Sequence, residues 1–438
     1  MTAPLTGYAD RISVRAGETI SFKVSSAGPG PYSAMLVRIV RGDPNPAGPP
    51  VKLEDESERF DGRFPSRVQH AWPGSYALIE SARGARLPTA LAVEALIWPT
   101  LPEDGLQTVI ARRDPASGAG FALVMTPEGM AIECGSACAV VGKKLRSRIW
   151  YRVWASIDPA TGMLRVGQQP LKRAFAIDDE GEATATAPSP AIDVPQPVTI
   201  GAELAADRPA RRCFNGKIEA PAIAGFAAWD FARRIDSMEV EDTGPNGLHG
   251  RLVNLPTRAM KGASWTGTER NWKAAPHQYA AIHFHDDDLH DCDWQDDFSF
   301  TVPKDLKSGV YGIQLNCGPH RDVIPFFVRP QVGKPQAKVC YLAASFTYQV
   351  YTNFSRGQFD DAFRRKVADW KAAPNNPDEH KDYGLATYNY HRDGSGVAYS
   401  SHLRPLLTWR PDFMSFNDSL GSGLRHLPAD THLTGWLD

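Results

Sequence analysis

The chain contains no run of about 18 apolar residues, so it offers no helix that would cross a bilayer. Its opening stretch, MTAPLTGYADRISVRAGETI, has neither a basic segment nor an apolar core, so no secretory leader is read there. An excess of one charge is missing too. Lys and Arg number 48 against 50 Asp and Glu, a net charge of −2 over 438 residues. That balance leaves no electrostatic footprint for nucleic acid or an anionic membrane. Cysteine is sparse, with six scattered residues, of which only Cys134 and Cys138 lie close. One C-x3-C is not the pair of pairs that holds structural zinc, and free thiols in a reducing cytoplasm are expected. No G-x-S-x-G elbow, H-E-x-x-H, P-loop or G-x-G-x-x-G occurs. Serine-hydrolase, zincin and nucleotide-binding chemistries therefore lack their signatures.

Turn formers are plentiful instead. Gly (37) and Pro (35) make up about 16% of the chain against an average near 12%. Residues 1–66 read as short strands, with Ile12, Val14, Ile20, Phe22 and Val24 alternating around a turn at Gly17. Residues 75–230 read as evenly spaced strands joined by hairpin loops at Thr126–Gly129 and Asp158–Gly162, the pattern of a jelly roll. Their order resembles laminin-G and concanavalin-like lectin domains, in "EALIWP", "QTVIAR", "FALVM", "WYRVWASIDPATGML" and "FNGKIEAP". Residues 260–332 return to strands and can pack with 1–66 as one discontinuous domain, since neither has enough strands alone.

After Pro330 the texture changes. Ala337–Ser345 (AKVCYLAAS) is a continuous apolar run, expected as a buried parallel strand with Cys340 inert inside it. Phe359, Phe363, Val367 and Trp370 then share one helical face, with Asp360 and Asp361 at its N-terminus and Pro374 beyond its end. A second helix is expected near the end, capped by Asp430 and presenting Leu433, Trp436 and Leu437. A strand followed by a helix announces an α/β domain, but one strand does not make a sheet. Either the sheet continues past Asp438 or a partner completes it. The fold class expected is multidomain and mainly β. A lectin-like jelly-roll sandwich is flanked by β-sandwich segments and followed by an incomplete α/β C-terminal domain, residues 335–438.

Two constellations could carry chemistry. The run His283–Asp293 (HFHDDDLHDCD) offers imidazoles, carboxylates and a thiol. It is either a hydrogen-bonded strand-to-turn segment or an ion site. Tyr348 and Tyr351 follow the apolar run, and Tyr383, Tyr388, Tyr390 and His391 cluster further on. At the carboxyl end of an α/β strand they would line a ligand crevice; elsewhere they are core residues with a polar tip.

The motifs GYADRISVRAGETISFKVSS, VRIVRGDPNPAGP, HFHDDDL, FTYQVYTNFSRG and YGLATYNYHRDGSGV together resemble the large (beta) subunit family of N,N-dimethylformamidase. The resemblance implies a mononuclear Fe(III) held by two tyrosinates and a glutamate, and a small helical second subunit in a hetero-oligomer. It implies hydrolysis of a small N-substituted amide, giving formate and dimethylamine from N,N-dimethylformamide. By motif, the tyrosine ligands are Tyr348 and Tyr388, with Tyr351 and Tyr390 as alternates. The glutamate is expected past Asp438. Asn389 and His391, beside the second ligand, are expected in catalysis by positioning or proton transfer. Phe346 and Phe354 are expected to dry the pocket. An alternative from another class is a non-catalytic lectin-like module that binds a carbohydrate or a partner.

Overall fold

The structure is a computed structural model that describes residues 2–172, 177–334 and 337–438. It divides into two units, one of Met1–Trp72 with Leu289–Asp438 and one of Pro73–Asp288.

In the first unit, Leu5–Ala9, Thr19–Ser26 and Phe298–Thr301 form a three-stranded antiparallel sheet. A second sheet runs Ser13–Arg15, His320–Arg329, Gly309–Cys317, Tyr32–Arg41 and Lys52–Asp55, with Asp61–Phe64 also on Tyr32–Arg41. The two sheets close over one core. Ile20, Phe22 and Val24 meet Leu36, Ile313 and Phe326, as period-two alternation requires. Phe298 stacks on Phe22 within this core and on the partly buried Phe64, whose ring centroid is 4.5 Å away. Strands from residues 289–329 thus complete those of residues 1–64.

The outer face of the second sheet is also apolar. Val37, Ile39, Val310 and Val323 pack under Tyr348, Leu406, Trp409 and Leu427 of the C-terminal segment. That segment carries α1 (Ser345–Val350), α2 (Asp361–Asp369) and α3 (His426–Leu437). In α2, Asp360 caps the Phe363 N–H at 2.8 Å and Phe363 and Val367 are buried. Two sequence expectations fail here. The run Ala337–Ser345 is not a buried strand: Leu342 is 90% exposed, Cys340 is exposed, and no strand occurs among the described residues after Arg329. With no neighbour to pair with, an apolar run cannot satisfy its backbone in a ladder. The expected α/β sheet is therefore not seen in these residues. In α3, Asp430 sits inside the helix and does not cap it. The buried residues are Leu427, Pro428 and Thr431, while Trp436 is exposed. Thr431 turns inward because its hydroxyl accepts the Gly42 N–H at 2.8 Å.

The second unit is a sandwich made from one long ladder. Ala137–Val140, Gly129–Cys134, Gly120–Thr126, Gln107–Arg113, Val198–Ile200 and Tyr76–Ile79 lead through Gly250–Val253, Glu239–Asp242 and Ala227–Asp230. The ladder continues to Gly216–Ile223, Leu91–Pro99, Tyr151–Asp158, Met163–Pro170 and Gly181–Thr186. Leu91, Val93, Ala95 and Ile97 of the second half share a core with Val109, Phe121, Leu123 and Ile132 of the first. The expected boundary at residue 230 moves to 288, because Glu239–Asp242, Gly250–Val253 and Ala281–Phe284 pair into this ladder. The segment 260–332 accordingly divides between the units at Asp288.

Gly120 opens its strand at φ +99°, and a Cβ there would lie 2.1 Å from the Arg112 carbonyl oxygen. Gly120→Ala is expected to lower stability by about 3 kcal/mol, read as a shifted denaturation midpoint. A loss below about 1 kcal/mol would show that the strand start re-forms without strain.

Candidate functional site

The tyrosine cluster lies in the first unit. α1 is too short to be stable by itself and is held by packing. Tyr348 is buried, 5.6 Å from the Trp409 ring and 6.2 Å from His426. The Trp409 indole donates to the Thr352 hydroxyl at 2.8 Å, which fixes this wall. Three oxygens converge at the Tyr348 hydroxyl. It donates to Asp430, the Tyr341 hydroxyl donates to the same carboxylate oxygen at 2.8 Å, and the two phenol oxygens are 2.8 Å apart. Burial, then Asp430, pushes Tyr348 far above the usual phenol range. Burial pushes Tyr341 up to about 12. Both phenols therefore favour their protonated form beside Asp430.

Tyr388 is 53% exposed, and its ring lies on that of Tyr351 at 4.0 Å and 9°. Tyr351 stacks in turn on His426 at 4.6 Å. The neighbouring Tyr388 hydroxyl raises the Tyr351 phenol. Burial lowers His426, and neighbouring Arg425 adds to this. Tyr348 and Tyr388 thus belong to one aromatic column through His426 and Tyr351, but their hydroxyls take different partners. Phe354 flanks the column, 6.2 Å from Tyr351. A narrow cavity of about 10 Å³ opens against Tyr351, Phe354, Arg425 and His426, room for about one water. Phe346 is 82% exposed and lines nothing. Tyr390 is also exposed.

Asn389 and His391 sit in the adjoining turns. The Asn389 oxygen accepts the Ser355 and Ala386 N–H groups at 3.2 Å, and its amide donates to the Ser355 carbonyl at 2.6 Å. It therefore clamps Tyr388 to the loop after Phe354, and its side chain is spent on backbone. His391 is buried, in a turn closed by its N–H to the Ser395 carbonyl at 2.9 Å. Sequence reasoning missed Tyr341, hidden in the apolar run, and misassigned Asp430. Asp430 lies 82 positions from Tyr348 and 89 from Tyr341, so the partnership leaves no local pattern.

The histidine–aspartate run divides between the units. In the second unit, the buried His283 and His285 rings lie 4.1 Å apart. Asp288 takes the Ser75 hydroxyl at 2.7 Å and lies 3.2 Å from His285 Nδ1. Ser75, missed from sequence, joins this turn by accepting the His285 N–H at 3.1 Å. In the first unit, Asp291 accepts the Tyr8 hydroxyl at 3.2 Å and the Asp293 N–H at 2.8 Å.

Residues 257–438 match the family described as N,N-dimethylformamidase beta subunit-like, C-terminal. Along its whole length the chain is 34% identical to the N,N-dimethylformamidase beta subunit of Paracoccus aminophilus. The chain is thus similar along its whole length to N,N-dimethylformamidase beta subunits, and residues 257–438 carry the C-terminal pattern of that family. The corresponding subunit of Alcaligenes sp. is 33% identical over 99% of the chain. The chain spans 64% and 63% of the length of these two curated relatives. Among solved structures, a putative carbohydrate-binding protein of Bacteroides ovatus has a TM-score of 0.28 at 14% identity, covering 55% of this chain and 68% of its own. Domains LG4-5 of mouse laminin alpha1 have 0.26 at 13%, covering 43% and 47%. The sandwich assignment rests on the strand pairing above. No helix among the described residues is long and apolar enough to cross a membrane.

Proposed function

We propose that this chain carries tyrosine ligands of a mononuclear ferric site in a cytoplasmic amidohydrolase. The enzyme would cleave the C–N bond of a small N-substituted amide such as N,N-dimethylformamide. A small helical subunit would accompany it, in keeping with relatives named as beta subunits. The observation that carries this reading is the oxygen cluster around Tyr348. Trivalent iron is hard and prefers anionic oxygen, and phenols ionise beside such a charge. Two phenolates and a carboxylate would balance its three charges. The donor types therefore fit. Tyr348 would hold the ion with Asp430, the carboxylate already beside it, and Tyr388, outside this oxygen cluster, would join as second tyrosine on the strength of its motif alone. When bound, the ion supplies a Lewis acid for an amide carbonyl. The chain's own groups do the rest. Asp430 orients the Tyr348 hydroxyl by accepting its hydrogen bond. Asn389 holds the loop that bears Tyr388, and Phe354 with Tyr351 excludes water from one side. His391 is buried one turn beyond.

Metal analysis and visible absorption of the full chain prepared with iron test this. About one iron per chain and a tyrosinate charge-transfer band are expected. Tyr348→Phe should weaken iron binding about 100-fold or more and bleach the band, with circular dichroism unchanged. A folded protein that takes up no iron and stays colourless would overturn the reading.

A further inference from the structure

A second cavity, of about 330 Å³, lies in the first unit beside the turn joining Gly309–Cys317 to His320–Arg329. Leu5, Val323 and Pro374 give it apolar walls, and Arg321, Lys371 and Asp412 also line it. Asp412 is 7% exposed. Among the described residues no other residue donates a hydrogen bond to its carboxyl, which meets only its own N–H and the field of Arg321 and Arg410; its backbone carbonyl takes the Ala373 N–H at 3.2 Å. The neighbouring carboxylate, Asp322, is saturated by Arg410, the Thr6 hydroxyl and the Val323 N–H. A largely buried carboxyl that meets no donor from another residue and faces a cavity leaves acceptor capacity for an occupant.

We propose that this cavity binds a small aliphatic carboxylate, its charged end toward Arg321, Lys371 and Asp412 and its chain against Leu5, Val323 and Pro374. The charge count selects the class. Asp322 is neutralised by Arg410, which leaves two cations and one buried carboxyl facing the space. An ammonium would satisfy Asp412 but meet Arg321 and Lys371. The volume is at the lower end of ligand pockets, which restricts the occupant to a small molecule. Burial raises Asp412, opposed chiefly by Arg321. In its protonated form Asp412 donates to the ligand's carboxylate. The other charged or titratable groups around it are His320 and Asp322 on the hairpin, Lys371 after α2, and Arg410. Binding should therefore weaken as pH rises and Asp412 ionises. The site stands apart from the iron reading and does not depend on it.

Calorimetric titration of the full chain with sodium butyrate tests the proposal. Saturable binding is expected, weakening as pH rises through the titration of Asp412. Arg321→Ala and Lys371→Ala, both at exposed positions, should each weaken it about tenfold. Asp412→Asn, which keeps a donor, should bind with a flattened pH dependence. Should Asp412→Asn fail to fold, the two surface variants decide. No saturable binding, unchanged affinity in Arg321→Ala, or a preference for n-butylammonium would overturn the proposal.

Discussion

Replacing Arg410 with methionine should cost about 3–5 kcal/mol of stability, because it strands a buried carboxylate. Arg410 is the point at which three parts of the first unit meet. Its Nε donates to one oxygen of Asp322 at 2.8 Å and a terminal nitrogen to the other at 2.6 Å. The same nitrogen donates to the Gly7 carbonyl at 2.7 Å, so Leu5–Ala9, His320–Arg329 and the C-terminal segment share one guanidinium. Both side chains of the pair are nearly inaccessible, at 3% and 5%. Urea denaturation followed by tryptophan fluorescence reads the loss. The double replacement Arg410→Met with Asp322→Leu should recover most of it, since removing both charges removes the stranded one. A single-variant loss under about 1 kcal/mol would mean that water reaches Asp322.

Asp378→Ala should cost about 2 kcal/mol at neutral pH and progressively less in acid. The carboxylate gathers a whole turn: it accepts the Ser355 hydroxyl and the N–H groups of Arg356, Gly357, Gln358 and Phe359, all within 3.0 Å. Burial alone would raise Asp378, but the Gly357, Ser355, Gln358 and Phe359 donors outweigh it and hold the carboxyl below its usual range. A folded value below the unfolded one means the contribution is complete above the unfolded value. It disappears as pH falls through the folded value. Stability curves of the two proteins between pH 7 and pH 2.5 should therefore converge. Parallel curves would assign the turn's stability elsewhere. Because Ser355 also anchors Asn389, the variant should loosen the Tyr351–Tyr388 stack, visible in near-ultraviolet circular dichroism.

Alternation made the sandwich strands legible. Ile20, Phe22 and Val24 point one way, as do Leu91, Val93, Ala95 and Ile97, and each set is buried as its period requires. The face of α2 and its Asp360 cap were equally readable. Ala337–Ser345 misleads because composition records only that residues are apolar. Burial in a ladder depends on a neighbouring strand that local sequence does not encode. Asp430 misleads for a related reason. Asp before an apolar stretch signals a helix start, yet here the helix begins at His426 and the side chain answers two distant phenols. Motif resemblance pointed to Tyr348 and Tyr388 as candidates, but not to Tyr341, which lies outside both tyrosine motifs. It also could not show that the Asn389 amide is committed to backbone. Asp412 carried no signal at all, since an unpaired carboxyl is visible only once its surroundings are folded.

The discontinuity of the first unit sets an order of events during synthesis. Residues 73–288 leave the ribosome as a contiguous piece and can complete their ladder at once. Thr19–Ser26 and Tyr32–Arg41 emerge first but must wait for Phe298–Thr301 and Gly309–Cys317. At typical elongation rates that interval is roughly 10–50 s. Throughout it the Phe22 and Leu36 faces stand open, and they are the stretch of this nascent chain most in need of a chaperone.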